Sequence, residues 1–296
     1  MPASPVPEEL RRRPVGVFDS GVGGLTVLHE LLVRLPHEDF VYLADDARFP
    51  FGTRSREELE AFSLEIAEEL LARRAKLLVV ACNSATAAAL PALRARMLET
   101  TLGVDVLGVV QPAAVQAVAA THSGRVGLLA TPTTVASGAY ATAIAEIDPF
   151  VALTSVAAPE LTEIVQDGSL FDERAVEVAR GYCEPLIEAG VDTVILGSTH
   201  YPLVEPVLQR MLGPRVATIA SGRPVARQVE HVLGVRGLAH PRSQRPGPPA
   251  QGEYRFLCTG DVERFGALGT RFLQMPLGEI TRVELGVSSV VAGAGA

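Results

Sequence analysis

Short apolar runs alternate with amphipathic segments along almost the whole chain, and this alternation limits the folds that the chain can adopt. Runs such as Val15–Phe18 and Leu77–Ala81 are uniformly apolar, as in strands that are buried on both faces. The segment Ser55–Arg73 has helical periodicity and begins with Ser55 and Glu58 at the spacing of a capping box. A long series of this kind predicts an α/β fold with mainly parallel sheets flanked by helices.

Two strand ends that lie more than a hundred residues apart resemble each other. Residues 77–84 and residues 193–200 each consist of an apolar strand, a small residue, a Cys or Ser, and polar residues before a helix. This weak repeat suggests two lobes of similar architecture that face one cleft. Ligands of parallel α/β sheets bind beyond the carboxyl ends of the strands. We therefore expect Cys82 and Ser198, which follow these strands, to lie near the site.

Composition and charge argue against several classes of protein. Of the 296 residues, 48% are hydrophobic and 20% are charged, which is typical of a globular protein. The formal net charge of −8 argues against a nucleic-acid partner. The basic run Arg11–Arg13 is not followed by the apolar segment of a secretory signal, and no apolar stretch is long enough to span a bilayer. These features predict a cytoplasmic protein without a membrane partner.

The three cysteines, Cys82, Cys183 and Cys258, are far apart and form no Cys-x-x-Cys pair, so neither a zinc site nor a disulfide framework is indicated. Cys82 ends a strand directly before a helix, where the helix dipole can lower the pKa of a thiol. Polar neighbours, among them Asn83 and Ser84, favour a functional thiol, although a buried and inert cysteine is the alternative. Cys183 and Cys258 lack such neighbours, and we expect them to be structural.

The turn after the first strand, residues 19–24, contains three glycines and leads into a helix. Glycines allow close approach of the backbone, and the start of a helix favours an anion. Dinucleotide binding is disfavoured because Thr26 occupies the position of the third glycine in that motif. A small carboxylate ligand fits this segment better, and a plain strand-to-helix turn is the alternative.

Two further segments place hydroxyl groups after strands. Ser198 and His200 suggest hydrolysis at first, but the chain has no Gly-x-Ser-x-Gly motif, and residues that are close in the sequence do not by themselves form a catalytic triad. Thr131 and Thr134 follow another strand. Their hydroxyl groups could donate hydrogen bonds to a carboxylate or merely cap the next helix.

Together these segments resemble glutamate racemase, a cofactor-independent member of the aspartate/glutamate racemase superfamily. The segments that carry the resemblance are residues 19–27, Pro50–Gly52, Ala81–Thr86, Thr131 with Thr134, and Gly197–Pro202. They occur in the same order as in the family, and the resemblance extends from about Val15 to Leu285.

The resemblance implies two lobes with glutamate bound in the cleft between them and one cysteine on each face of the α-carbon. It implies catalytic roles for Cys82, Asp19, His200 and the residue at position 198. The residues implied to bind substrate are Asp19, Ser20, Phe51, Gly52, Asn83, Ser84, Thr131, Thr134, Thr199 and His200. It also implies a homodimer, no cofactor and no metal, and a product, D-glutamate, that is used for peptidoglycan.

On this basis we assign residues 14–110 with 222–286 to the first lobe and residues 111–221 to the second. Residues 1–13 and 287–296 are expected to be flexible tails. The first lobe would carry Asp19 and Cys82, and the second would carry Ser198 and His200.

The chain also departs from the family pattern. Ser198 stands where the family has its second cysteine, and a serine hydroxyl has a far higher pKa than a thiol. Gln166 stands where the family often has a glutamate, and Phe51 replaces a usual tyrosine. Three hypotheses follow: a glutamate racemase in which Ser198 impairs turnover, a superfamily enzyme that works with one thiol, or a non-catalytic amino-acid-binding protein on the same scaffold.

Overall fold

The computed structural model describes residues 6–101, 103–244 and 250–286. Its strands are β1 (Val15–Asp19), β2 (Phe40–Ala44), β3 (Leu77–Val80), β4 (Asp105–Gly108), β5 (Arg125–Ala130), β6 (Ala152–Ala157), β7 (Thr193–Gly197), β8 (Ala217–Ala220), β9 (Tyr254–Cys258) and β10 (Ile280–Arg282). β1 and β3 lie within one residue of the predicted runs Val15–Phe18 and Leu77–Ala81. β10 is short because only three of its residues pair with β9.

The helices alternate with these strands. They are α1 (Glu8–Arg11), α2 (Leu25–Arg34), α3 (Arg56–Ala72), α4 (Asn83–Thr100), α5 (Val110–Ala120), α6 (Pro132–Ala136), α7 (Ala139–Ile147), α8 (Pro159–Asp167), α9 (Glu173–Glu188), α10 (Glu205–Leu212), α11 (Gly222–Val235) and α12 (Val262–Leu273). Short 3-10 helices lie at Asp46–Arg48, Phe51–Thr53, Tyr201–Leu203 and Pro241–Gln244.

The strands form two sheets, and every strand pair in the described residues is parallel. The six-stranded sheet has the order β10-β9-β2-β1-β3-β4, and the four-stranded sheet has the order β6-β5-β7-β8. Helices follow the strands as crossover connections. The predicted fold, two mainly parallel sheets flanked by helices, is confirmed.

Burial explains why the central strands are uniformly apolar. Every residue of β1, β2, β3 and β7 is buried, because helices cover both faces of each sheet. The edge strand β6 is only partly covered, and its residues are exposed or half-buried. One apolar cluster extends through both sheets, from Val15 in β1 to Leu196 in β7. Packing therefore holds the carboxyl ends of the two sheets near each other.

The strands of the larger sheet come from residues 15–108 and 254–282, and those of the smaller sheet from residues 125–220. The lobe boundaries assigned above remain a prediction. Part of the segment predicted as a flexible N-terminal tail is instead folded: residues 8–11 form α1, and Arg11 donates a hydrogen bond to the Ala239 carbonyl. Residues 1–5 and 287–296 of the predicted tails lie outside the described residues. In the described parts of the chain, no helix is both long and apolar enough to cross a membrane.

Candidate active site

A cavity of about 140 Å³ lies where the carboxyl ends of β3 and β7 approach each other. The two similar strand ends both reach it: Cys82 follows β3, and Ser198 follows β7. The residues that line it are Ser20, Phe49, Pro50, Phe51, Gly52, Thr53, Cys82, Asn83, Ser84, Thr131, Pro132, Pro159, Thr162, Glu163, Gln166, Gly197, Ser198, Thr199 and His200. All of the sequence-predicted site residues belong to this wall except Asp19 and Thr134, which are buried behind it.

Cys82 is the N-cap residue of α4, and its Sγ accepts a hydrogen bond from the Ala85 amide at 3.5 Å. Burial raises the pKa of the Cys82 thiol to about 12, and the negative charge of Asp19 acts in the same direction. Hydrogen bonds from Ala85 and Ser20 lower the pKa but do not compensate. The expectation that the helix start lowers the pKa of Cys82 overall is therefore wrong. Removing the thiolate from water destabilises it more than the start of the helix stabilises it.

Asp19 lies beside Cys82 at the end of β1, and it is fully buried. Its Oδ2 accepts hydrogen bonds from the amides of Gly21 and Gly24 at 3.2 and 3.0 Å, whereas its Oδ1 has no partner. A Cβ at Gly24 would lie 2.4 Å from the Asp19 Cβ, so this turn requires glycine. Burial raises the pKa of Asp19 to about 6, against the effect of the amides and of the hydrogen bond with Cys82. At pH 7 the carboxylate is mostly ionised and the thiol is protonated.

Three hydroxyl groups form a triangle that joins the two sheets. Ser84 Oγ lies 3.0 Å from Thr131 Oγ1 and 3.2 Å from Thr134 Oγ1, and the two threonine oxygens are 3.0 Å apart. Ser84 is in the first turn of α4, whereas the threonines begin α6 after β5. Thr131 makes no side-chain cap of α6, so the capping alternative is excluded for this residue. Each of these hydroxyl groups can act as a hydrogen-bond donor.

Asn83 offers the cavity a buried donor. Its Oδ1 accepts a hydrogen bond from the Tyr140 hydroxyl at 2.7 Å, and its Nδ2 is buried without a partner. A buried donor without a partner costs free energy, and a ligand oxygen in the cavity would accept its hydrogen bond.

The side of the cavity formed by the smaller sheet carries His200. Burial lowers the pKa of His200 to about 4, so the ring is neutral at pH 7. The ring packs between Phe49 and Phe272, with ring centroids 5.8 and 5.3 Å away. Its Nε2 lies 3.4 Å from the Gln166 amide nitrogen, and the Ser198 Oγ accepts a long 3.4 Å hydrogen bond from the His200 amide. Gln166 therefore lies beside His200 on this side of the site.

Several wall residues were not identified from the sequence, notably Phe49, Thr162 and Glu163. Thr162 and Glu163 lie with Gln166 on one face of α8, which covers the cavity from the smaller sheet. In the sequence, the amphipathic pattern of α8 is the signal that could have pointed to Thr162 and Glu163. That pattern does not show which residues the polar face of the helix contacts. The side chains described here contain no group of three or more His, Cys, Asp or Glu residues that could hold a metal.

Comparison with known proteins places this arrangement in a family. The family model described as Asp/Glu/Hydantoin racemase matches residues 26–229. A glutamate racemase from Acidothermus cellulolyticus is 44% identical over 272 residues, which cover 92% of this chain and 99% of the relative.

Solved structures agree with the sequence comparison. The glutamate racemase isoform RacE1 from Bacillus anthracis is 34% identical, with a TM-score of 0.84 and coverage of 93% of this chain and 98% of that one. A glutamate racemase from Francisella tularensis, solved in complex with D-glutamate, is 28% identical with a TM-score of 0.83 and the same coverage. From the family match, the close relative and the shared fold, we conclude that the chain belongs to the glutamate racemase family.

Proposed function

We propose that this protein interconverts L-glutamate and D-glutamate without a cofactor, by removing the α-proton on one face and adding a proton on the other. The observation that carries the proposal is that Cys82 and Ser198, at similar strand ends of two different sheets, line one small cavity. Glutamate as the substrate is supported by the D-glutamate complex of the Francisella tularensis relative.

Cys82 is the proposed base on the face of the larger sheet. Burial keeps the Cys82 thiol protonated, and the neighbouring Asp19 carboxylate can accept the thiol proton. The ammonium group of a bound amino acid would bring a positive charge into a buried site that holds a carboxylate, and this favours the thiolate. Substrate binding thus activates the base in the position where it is needed.

The substrate carboxylate is the proposed partner of the hydroxyl triangle and of Asn83 Nδ2. Asn83 and Ser84 lie at the start of α4, an 18-residue helix whose N-terminus favours negative charge, and the two threonines lie at the start of α6. The same donors would stabilise the charge that develops on the carboxylate when the α-proton leaves. Ser20, Phe51, Gly52 and Thr199 complete the wall around the ligand.

Ser198 is the proposed proton donor on the opposite face. A hydroxyl can donate a proton there, but it cannot rest as an alkoxide near neutral pH as a thiol can rest as a thiolate. We therefore propose that inversion is slower than exchange at the Cys82 face. We also propose that the protein is a homodimer and that its product, D-glutamate, is used for peptidoglycan synthesis, as the resemblance implies. From the sequence features described above, we propose that it is located in the cytoplasm.

The test is proton NMR of L-glutamate and D-glutamate in deuterated water, combined with a chiral assay of the product. We expect α-deuterium incorporation with slow inversion, and we expect Ser198→Cys to accelerate inversion. Exchange of one enantiomer without inversion would indicate the one-thiol enzyme, and binding without exchange would indicate a non-catalytic protein. The proposal is wrong if Ser198→Cys binds glutamate and still gives no inversion.

A further inference from the structure

Ser198 contacts two cavities. One is the substrate cavity described above, and the other is a smaller space of about 40 Å³ on its other side. The second cavity is bounded by α2, by the turn after β7 and by the start of α11, and its polar wall residues include Thr26, Glu30 and Ser221. The hydroxyl group that replaces the family's thiol therefore lies between the substrate cavity and a separate small space that has several polar residues in its wall.

The second cavity has the size and the chemistry of a water site. A buried water needs about 10–15 Å³ of such space and two to four polar partners. Ser221 is 4% exposed, and its buried hydroxyl interacts with the Tyr140 side chain without a well-aligned hydrogen bond. The single hydroxyl proton of Thr26 is within reach of the carbonyls of Gly23 and Thr199, so the lone pairs of the hydroxyl remain able to accept. Water in this cavity would have the hydroxyl groups of Ser198, Ser221 and Thr26 as hydrogen-bond partners.

Glu30 connects this space with solvent. Its side chain is 27% exposed and pairs with Arg223 on the surface, with 3.1 Å between Nε and Oε1. Gly222 packs closely against it, since a Cβ at Gly222 would lie 2.9 Å from the Glu30 Cγ. The side chain is thus held at the cavity wall with one carboxylate oxygen engaged by Arg223.

We propose that water in the second cavity links the Ser198 hydroxyl to the Glu30 carboxylate and to solvent, which makes this chain of groups a proton relay for the substrate face opposite Cys82. The inference rests on the proposed racemase function. It assigns to Glu30, Ser221 and Thr26 a positioning and relay role that the substrate cavity alone does not indicate.

The relay balances protons in both directions. When Cys82 has taken the α-proton, the Ser198 O–H bond breaks and a new C–H bond forms. The Ser198 oxygen takes a proton from the cavity water, and the water takes one from protonated Glu30 or from solvent. In the reverse direction the α-proton moves to the Ser198 oxygen, while the hydroxyl proton passes through water to the Glu30 carboxylate. No alkoxide persists in either direction, whereas a thiol at position 198 would need no such relay.

The experiment measures inversion and α-deuterium exchange separately for Glu30→Gln, in the natural chain and in the Ser198→Cys background. We expect Glu30→Gln to lower the ratio of inversion to exchange by roughly 10- to 100-fold in the natural chain. We expect less than about a twofold change in the Ser198→Cys background, because a thiol carries its own proton. Arg223→Gln is the matched control, because it removes the surface partner of Glu30 and keeps the carboxylate.

Two results would overturn the relay. One is an equal effect of Glu30→Gln in both backgrounds, and the other is a high-resolution crystal structure with no ordered solvent between Ser198 and Ser221. Exchange without inversion in the natural chain would contradict both the relay and the proposed interconversion, while leaving the role of Cys82 intact. A protein that neither exchanges nor inverts glutamate, even as Ser198→Cys, would instead contradict the proposed function.

Discussion

Asp19 and His200 are both buried in the site, but burial acts on their pKa values in opposite directions. Burial raises the pKa of Asp19 from 3.8 to about 6, so the folded protein binds more protons than the unfolded chain between these values. Stability contributed by Asp19 is therefore lost as the pH rises through this window. Burial lowers the pKa of His200 from 6.5 to about 4, so the contribution of His200 is lost as the pH falls through that window.

Asp19→Asn tests the pH dependence of the Asp19 contribution separately from that of His200. We expect the free energy of unfolding of the variant, minus that of the natural chain, to increase by about 2–3 kcal/mol between pH 4 and pH 7, since one pKa unit corresponds to about 1.4 kcal/mol. Urea titrations across this pH range measure the difference. A difference that stays constant with pH would show that the Asp19 carboxylate is not destabilised by burial.

Asp192→Asn is a contrasting control for that experiment. Burial tends to raise the pKa of Asp192, but hydrogen bonds from Thr121, Ser123 and His122 outweigh it and hold the pKa below its usual range. The stability that Asp192 contributes is present above its unfolded pKa of 3.8 and is lost as the pH falls. We expect Asp192→Asn to be destabilising at pH 7, with little change between pH 6 and pH 7.

Cys82→Ala tests the proposed base directly. We expect loss of α-deuterium exchange by at least about 100-fold, because a positioned acid–base group contributes on that order or more. Cys183→Ala is the matched control: Cys183 is also buried, but it lies in α9 among apolar residues and away from the cavity. Exchange that survives Cys82→Ala would remove Cys82 from the mechanism.

At the scale of the element, α3 shows how a local signal fixes a helix that supports the site. The Ser55 side chain accepts a hydrogen bond from the Glu58 amide at 3.2 Å, and the Glu58 carboxylate accepts one from the Ser55 amide at 2.9 Å. The helix packs beside α4, whose first residues Asn83 and Ser84 line the cavity. The capping box predicted from the sequence is confirmed.

Ser55→Ala removes one half of this cap. We expect the free energy of unfolding to fall by about 1 kcal/mol, because the Glu58 amide loses its partner at the start of the helix. Arg56→Ala, one position further along, removes only an exposed pair with Glu60 and should cost less. Guanidinium denaturation of both variants measures the difference, and equal losses would argue against a specific contribution of the cap.

At the scale of the whole molecule, Lys76 joins segments that are far apart in the chain. Its buried Nζ donates to Glu38 at 2.6 Å, to the Arg11 carbonyl at 2.7 Å and to the Leu238 carbonyl at 3.0 Å. Glu38 in turn accepts a hydrogen bond from the His240 amide at 2.6 Å. This cluster lies before β3, at the opposite end of that strand from Cys82.

Lys76→Met is expected to destabilise the protein by about 3–5 kcal/mol, because it leaves the Glu38 carboxylate buried without its counter-charge. Adding Glu38→Gln should recover part of the loss, since a neutral amide oxygen can still accept from His240. Arg34→Met, which removes a half-exposed pair with Glu230, is the surface control. Thermal unfolding of the variants measures these effects, and a loss no larger than that of Arg34→Met would contradict a special role for Lys76.

The sequence by itself determined the parallel α/β architecture and predicted that Cys82 and Ser198 lie on the two sides of one site. This was possible because strand periodicity, helix caps and the residues that end a strand are encoded within a few neighbouring positions. The tertiary structure alone decided that burial raises the pKa of Cys82, and that Ser198 faces a second cavity near Glu30. Desolvation and contacts between distant segments depend on which surfaces pack together, and this packing cannot be read from a local sequence pattern.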